Sequence, residues 1–124
     1  NPKKLLSILN LIADHICILK LHCDIISNFN PEIINKIRML ANTKKFIIFE
    51  DRKFCDIGST FVEQYTGGLY NIKDWSDIIT VNCLSGEGII KTFVRNGQMM
   101  SEDGDFKLIF TTADERVEDL KKII

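Results

Sequence analysis

Phe46-Ile47-Ile48-Phe49-Glu50-Asp51-Arg52-Lys53-Phe54-Cys55-Asp56-Ile57-Gly58 runs from an unbroken apolar stretch straight into a cluster of charges. Apolar runs of about four to eight residues read as buried strands. Residues 46–49 are therefore a strand, and Asp51, Lys53 and Asp56 stand where it emerges. Charges at such a place are costly to hold unpaired. In α/β folds the carboxyl end of a buried strand is also where active sites sit.

Outward from this stretch, strands and helices alternate. Pro2 followed by Leu5, Leu6, Ile8, Leu9, Leu11 and Ile12 predicts a helix with proline in its first turn. Residues 16–21 read as a short buried strand. Asn30-Pro31-Glu32 opens a second helix, with Asn30 as N-cap and Pro31 at the first helical position. Its apolar face is Ile34, Ile37, Leu40 and Ala41. Residues 59–65 read as helical and are stopped by Gly67-Gly68. Residues 77–81, rich in β-branched side chains, are a third strand, and 107–111 a fourth. Helices are expected at 86–94, closed by Asn96-Gly97, and at 113–124, with acids early and lysines late to match the helix dipole. The stretch 98–105 reads as a mobile loop.

Strand starts recur about every 30 residues, the size of one βα unit. Such alternation predicts a parallel sheet with helical cover. Four units fit a doubly wound sheet or half of an eight-unit barrel. A whole barrel takes about 250 residues, and this chain has 124. No linker or low-complexity segment divides residues 1–124, which read as one domain or a piece of one.

A net charge of −1 and an isoelectric point near 6.1 argue against a nucleic-acid partner, which would call for a basic stripe. No apolar run approaches the roughly 18 residues of a membrane span, and no secretory pattern is present. Asn1 in place of methionine reads as a trimmed or processed chain. Cys17, Cys23, Cys55 and Cys83 form no C-x-x-C pair. They read as free, mostly buried thiols in a reducing cytoplasm, not as zinc ligands.

Two strand ends carry chemistry: Lys20-Leu21-His22-Cys23-Asp24 and the charge cluster from Asp51 to Asp56. A lysine at the end of a buried strand needs a partner, and Asp51 supplies one if the two strands are neighbours. An alternating Lys-Asp-Lys-Asp array would hold each charge by its neighbours and create a field that distinguishes a carboxylate from a carbanion. Lys53 in it is placed to donate a proton. The competing reading is a structural ion-pair network at a sheet end. His22 reads as a core or supporting residue, since no serine or cysteine nucleophile motif accompanies it. His15 reads as a helix-end residue and Trp75 as packing. Gly86-Glu87-Gly88 resembles a phosphate-cradling turn, but a lone G-x-G is a weak signal.

Residues 50–58 resemble the signature of the orotidine 5′-phosphate decarboxylase family, with Cys55 where alanine is usual. Lys20-Leu21-His22-Cys23-Asp24-Ile25 is similar to the family's lysine-bearing strand end. Gln64-Tyr65, Gly67-Gly68, Trp75, Asp77 and Gly86-Glu87-Gly88 follow in family order, and the likeness extends over about residues 5–95, on the eukaryotic branch. The resemblance implies a partial TIM (β/α)8 barrel of about four βα units. It implies decarboxylation of orotidine monophosphate to uridine monophosphate by a cytoplasmic homodimer with shared active sites, without metal or cofactor. Lys20 would contact the ribose and anchor the array, Asp51 would lie near the substrate carboxylate, and Lys53 would protonate C6. Asp56 would reach into the partner's site, with Ile57, Thr60 and Asp24 in the substrate-binding set.

The chain also departs from the family pattern. The family's first strand would precede Asn1, and its phosphate-gripping loop and late arginine would follow Ile124. Thr111-Thr112-Ala113-Asp114 stands where a pyrimidine-reading serine is expected. Phosphate binding supplies remote binding energy that is used at the reacting carbon, and an open half barrel exposes strand edges. The expectation is thus an incomplete barrel, a fragment of the enzyme. The alternative is an inactive descendant kept as a binding or scaffold protein.

Overall fold

A computed structural model describes residues 1–82, 84, 86, 89–90, 99–100, 106–111, 117–119 and 122. Helix α1 (Pro2–Ile12) leads through a short 3-10 turn to strand β1 (Ile18–Leu21). A second 3-10 turn (Cys23–Ile25) precedes α2 (Pro31–Lys44) and β2 (Ile47–Phe54). Then come α3 (Gly58–Thr66), β3 (Ile78–Asn82), β4 (Met99–Met100) and β5 (Phe106–Phe110). The first three strands and the helices that precede them form where the apolar periodicity places them. Both long helices begin as their sequences dictate. Asn1 Oδ1 accepts from the Lys3 N–H at 3.0 Å, and Asn30 Oδ1 accepts from the Ile33 N–H at 3.1 Å, each with proline in the first turn.

The sheet order is β1-β2-β3-β5-β4. Strands β1, β2 and β3 are parallel, as expected. The strand expected at 107–111 is present one residue earlier, but it runs antiparallel to β3. It also pairs antiparallel with β4, which lies inside the stretch read as a loop. For the β4–β5 pair the physical reason is connection length. Neighbouring parallel strands need a crossover of a dozen or more residues. Five residues, 101–105, separate β4 from β5 in sequence, so these two can pair only antiparallel. Of the helices expected at 86–94 and 113–124, residues 89–90, 117–119 and 122 are helical, Gly86 is described but not helical, and the rest lie outside the described residues.

Side chains alternate across each strand, and the two faces differ. One face packs Phe46, Ile48, Ile79, Val81 and Ile109 against Leu9, Ile34, Ile37, Ala41, Phe61 and Tyr65 of the helices. The other carries a smaller cluster of Ile47, Ile78, Phe110 and Val117, with Phe49 and Leu108 at its margin. Trp75 is packing, as read: it is buried and its indole N–H donates to the Tyr70 carbonyl. The described thiols are free, as read, but they are not mostly buried. Cys23 is buried, but Cys17 and Cys55 are exposed because they sit in the chain just before β1 and just after β2, not within a strand. Cys83 lies outside the described residues. Among the described residues no helix is long and apolar enough to cross a membrane.

Asp77, just before β3, ties the layers together. It is 1% exposed. Its Oδ2 accepts from Arg38 of α2 at 2.5 Å and from the Ile48 N–H of β2 at 2.9 Å. Breaking a buried pair strands the remaining charge and N–H. Asp77→Ala is therefore expected to lower the unfolding free energy by about 3 kcal/mol. Lys36→Ala, which removes an exposed pair with Glu32, should leave the urea midpoint in place. Equal midpoints for the two variants would refute the assignment.

Candidate active site at the carboxyl ends of the parallel strands

Three neighbouring strands deliver the site. Lys20 is paired in register with Phe49, one turn of the pleat before Glu50 and Asp51. The condition set by the sequence is met, since β1 and β2 are adjacent and Asp51 is the partner of Lys20. Strand β2 continues through the charge cluster to Phe54 instead of ending at Phe49. It does so with a break in register: Glu50 pairs with Ile79 but Phe54 with Val81. The surplus residues are taken up as an irregularity of the bulge kind. Lys53, at its centre, has φ +55°, a left-handed conformation that costs a non-glycine residue about 1 kcal/mol or more. The Lys53 N–H, turned out of the ladder, donates to Thr80 Oγ1 at 2.9 Å.

Asp51 is the centre of the arrangement. It is 7% exposed. Its Oδ2 accepts from Lys53 Nζ at 2.5 Å and Lys20 Nζ at 3.2 Å, with His22 Nε2 at 3.5 Å. Its Oδ1 accepts from the Thr80 hydroxyl at 2.8 Å. Burial alone pushes this carboxyl up, but the bonds from Lys53, Thr80 and Lys20 prevail and hold it at about 2. Asp51 is thus a fixed negative charge, with two partly exposed ammonium groups above it.

The fourth expected member of the array lies apart. Asp56 Oδ1 accepts from the Ile57 N–H at 2.8 Å, and its Oδ2 accepts from Gln64 Nε2 at 3.4 Å. Within this chain it dresses the start of α3. Ile57 is exposed and Thr60 half-buried, both at that same end of α3, and Asp24 is exposed in the turn after β1. The sequence reading missed Thr80, whose only signal is one hydroxyl in the run Ile-Ile-Thr-Val. His22, read as a core or supporting residue, is partly exposed and faces Asp51, a supporting place and not a core one. Of the weak Gly86-Glu87-Gly88 turn, Gly86 is described, with φ +92°, and the other two lie outside the described residues. Among the described residues no group of three or more His, Cys, Asp or Glu side chains is placed to hold a metal.

Residues 1–123 match the family described as Orotidine 5′-phosphate decarboxylase / HUMPS family. The chain belongs to this family. An orotidine 5′-phosphate decarboxylase of Rhizopus oryzae is 44% identical over 95 residues, 77% of this chain and 36% of the relative. One from Candida parapsilosis is 41% identical over 102 residues, 82% of this chain and 38% of the relative. A uridine 5′-monophosphate synthase of Bos taurus is 38% identical over 89 residues, 72% of this chain and 18% of the relative. The chain therefore spans little more than a third, or less, of the curated relatives it matches. The mostly parallel α/β sheet agrees with a partial barrel of the decarboxylase family.

Adjacent carboxylates on β2 have opposite electrostatics. Glu50 is 0% exposed on the helix-packed face. Burial pushes it up to about 7, against the bonds it accepts from Cys23. The folded chain favours protonated Glu50, so that contribution is complete below 4.5 and is lost as pH rises through 7. It favours ionised Asp51, so that contribution is complete above 3.8 and is lost as pH falls toward 2. At about 1.4 kcal/mol per unit, the two limbs amount to about 3 and about 2 kcal/mol. Urea unfolding across pH 2–8 should show both limbs, and Glu50→Gln should flatten only the neutral one. A neutral limb that persists in Glu50→Gln would show that another group causes it.

Proposed function

We propose that the full-length protein converts orotidine 5′-monophosphate to uridine 5′-monophosphate and carbon dioxide, and that these 124 residues are one incomplete barrel domain of that enzyme. The observation that carries the reading is Asp51, almost wholly buried yet kept anionic between Lys20 and Lys53. The names of the relatives agree with this activity. Asp51 would face the substrate carboxylate and repel it, while the neighbouring ammonium groups favour the charge that develops on the ring. The bond from C6 to the carboxylate carbon breaks, carbon dioxide leaves, and the electron pair stays on C6. Lys53 then delivers an Nζ proton to C6 and is reprotonated from solvent. Asp51 is unsuited to that step because it stays ionised.

In this reading Lys20 contacts the ribose. Asp24, Ile57 and Thr60 line the nucleotide. Asp56, already at the exposed start of α3, reaches the site of a second subunit in a cytoplasmic homodimer. The chemistry requires no metal or organic cofactor. A second reading, an inactive descendant serving as a binding or scaffold protein, is favoured by one observation: β5 takes the edge of β3 antiparallel, where a barrel would continue with a parallel strand.

In the full-length protein, Lys53→Ala should lower turnover of orotidine monophosphate by about 10²- to 10⁴-fold with an unchanged circular dichroism spectrum. Retained turnover would remove Lys53 from its role. A wild-type protein that neither turns over orotidine monophosphate nor binds uridine monophosphate would establish the scaffold reading instead.

A further inference from the structure

Glu50 is a buried acid whose chemistry the proposed reaction leaves unused. It is wholly buried, and both of its oxygens lie within bonding distance of one donor, the Cys23 N–H, at 3.1 and 3.2 Å. Taking a carboxylate out of water is unfavourable unless hydrogen bonds replace the water. The bond Glu50 makes is not to a neighbour on its own strand. It spans from β2 to the turn that follows β1.

That turn lies beyond the ladder that joins β1 to β2. Strand β1 has four residues and forms one edge of the sheet. Its pairing with β2 ends at Leu21, opposite Glu50 itself. His22 then bends away into the 3-10 turn Cys23–Ile25. Lys20, one residue before the end of the ladder, and His22, one residue beyond it, are the groups from this segment that reach Asp51. The Glu50 carboxyl grips the backbone immediately after them. It does so from the helix-packed face, while the adjacent residue Asp51 receives Lys20 and His22.

We propose that Glu50 is a positioning residue for the site: by accepting the Cys23 N–H it pins the exit of β1, so that Lys20 and His22 stay aimed at Asp51. The proposal rests on the functional reading above only for what the site does, and the coupling from Glu50 to Asp51 holds or fails independently. The charged and titratable groups acting on Glu50 are the Cys23 thiol and Asp24 from the turn and Arg52 from β2, with Asp24 disfavouring its charge and Arg52 favouring it. Its elevated pKa adds support: the grip can be kept by a neutral acid, so acceptance of the N–H, more than charge, is what the position requires.

The test follows the Asp51 carboxyl carbon by ¹³C NMR during an acid titration of the full-length protein, with the signal assigned by Asp51→Asn. Glu50→Leu removes the acceptor and should raise the Asp51 midpoint by about one pH unit or more, since it loosens an opposite charge close to the carboxylate. Glu50→Gln keeps a carbonyl acceptor and should restore the wild-type midpoint. A folded Glu50→Leu protein with an unchanged midpoint overturns the proposal, and so does a Gln variant that behaves like Leu. Should the Leu variant not fold, the wild type decides through its Cys23 amide and Lys20 ε-carbon shifts. The Cys23 amide should move with a midpoint near that of Glu50 while Lys20 holds its place, and a Cys23 amide indifferent to that ionisation overturns the assignment. Absence of decarboxylation in the wild type would sink the functional reading while leaving the Asp51 titration readable.

Discussion

A carboxylate cannot be taken out of water and kept charged without donors to replace the water, and that constraint on Asp51 organises the strand ends around it. Lys20 comes from β1, Lys53 from the kinked end of β2, and the Thr80 hydroxyl from β3. Three strands must be adjacent and parallel for those donors to converge. The site and the first half of the sheet are thus one structural problem, and the same contacts that keep Asp51 ionised align the strands.

Much of this was legible in the chain because it is local. Apolar runs, proline at helix starts and asparagine caps place the starts of α1, α2 and the first three strands within a residue or two. The pairing of Lys20 with Asp51 could be anticipated because it needs only neighbouring strands. What was not legible depends on register and direction. Thr80 becomes a donor to Asp51 because Glu50 pairs with Ile79, which sets the next residues of the two strands side by side. The extension of β2 through Asp51 and Lys53 was hidden because charged residues read as the end of a strand. The reversed direction of β5 is set by its pairing with β4 and β3, not by its own residues, and β4 itself is too short to carry a pattern.

The consecutive acids Glu50 and Asp51 show how little sequence distance means for electrostatics in a sheet. One points to the helix layer, where burial outweighs the bonds from Cys23 and leaves it easily protonated. The next points to the opposite face, where two ammonium groups and a hydroxyl hold its charge. Pleating separates the environments completely, so one strand can supply a structural grip and a permanent anion side by side.

The left-handed backbone at Lys53 has an evolutionary consequence. Glycine or asparagine adopts this conformation with less strain than lysine, so a chain drifting under selection for stability alone would shed the lysine here early. Position 53 is therefore a local record of selective pressure. Wherever a descendant of this chain keeps lysine on that strained turn, something other than stability maintains it.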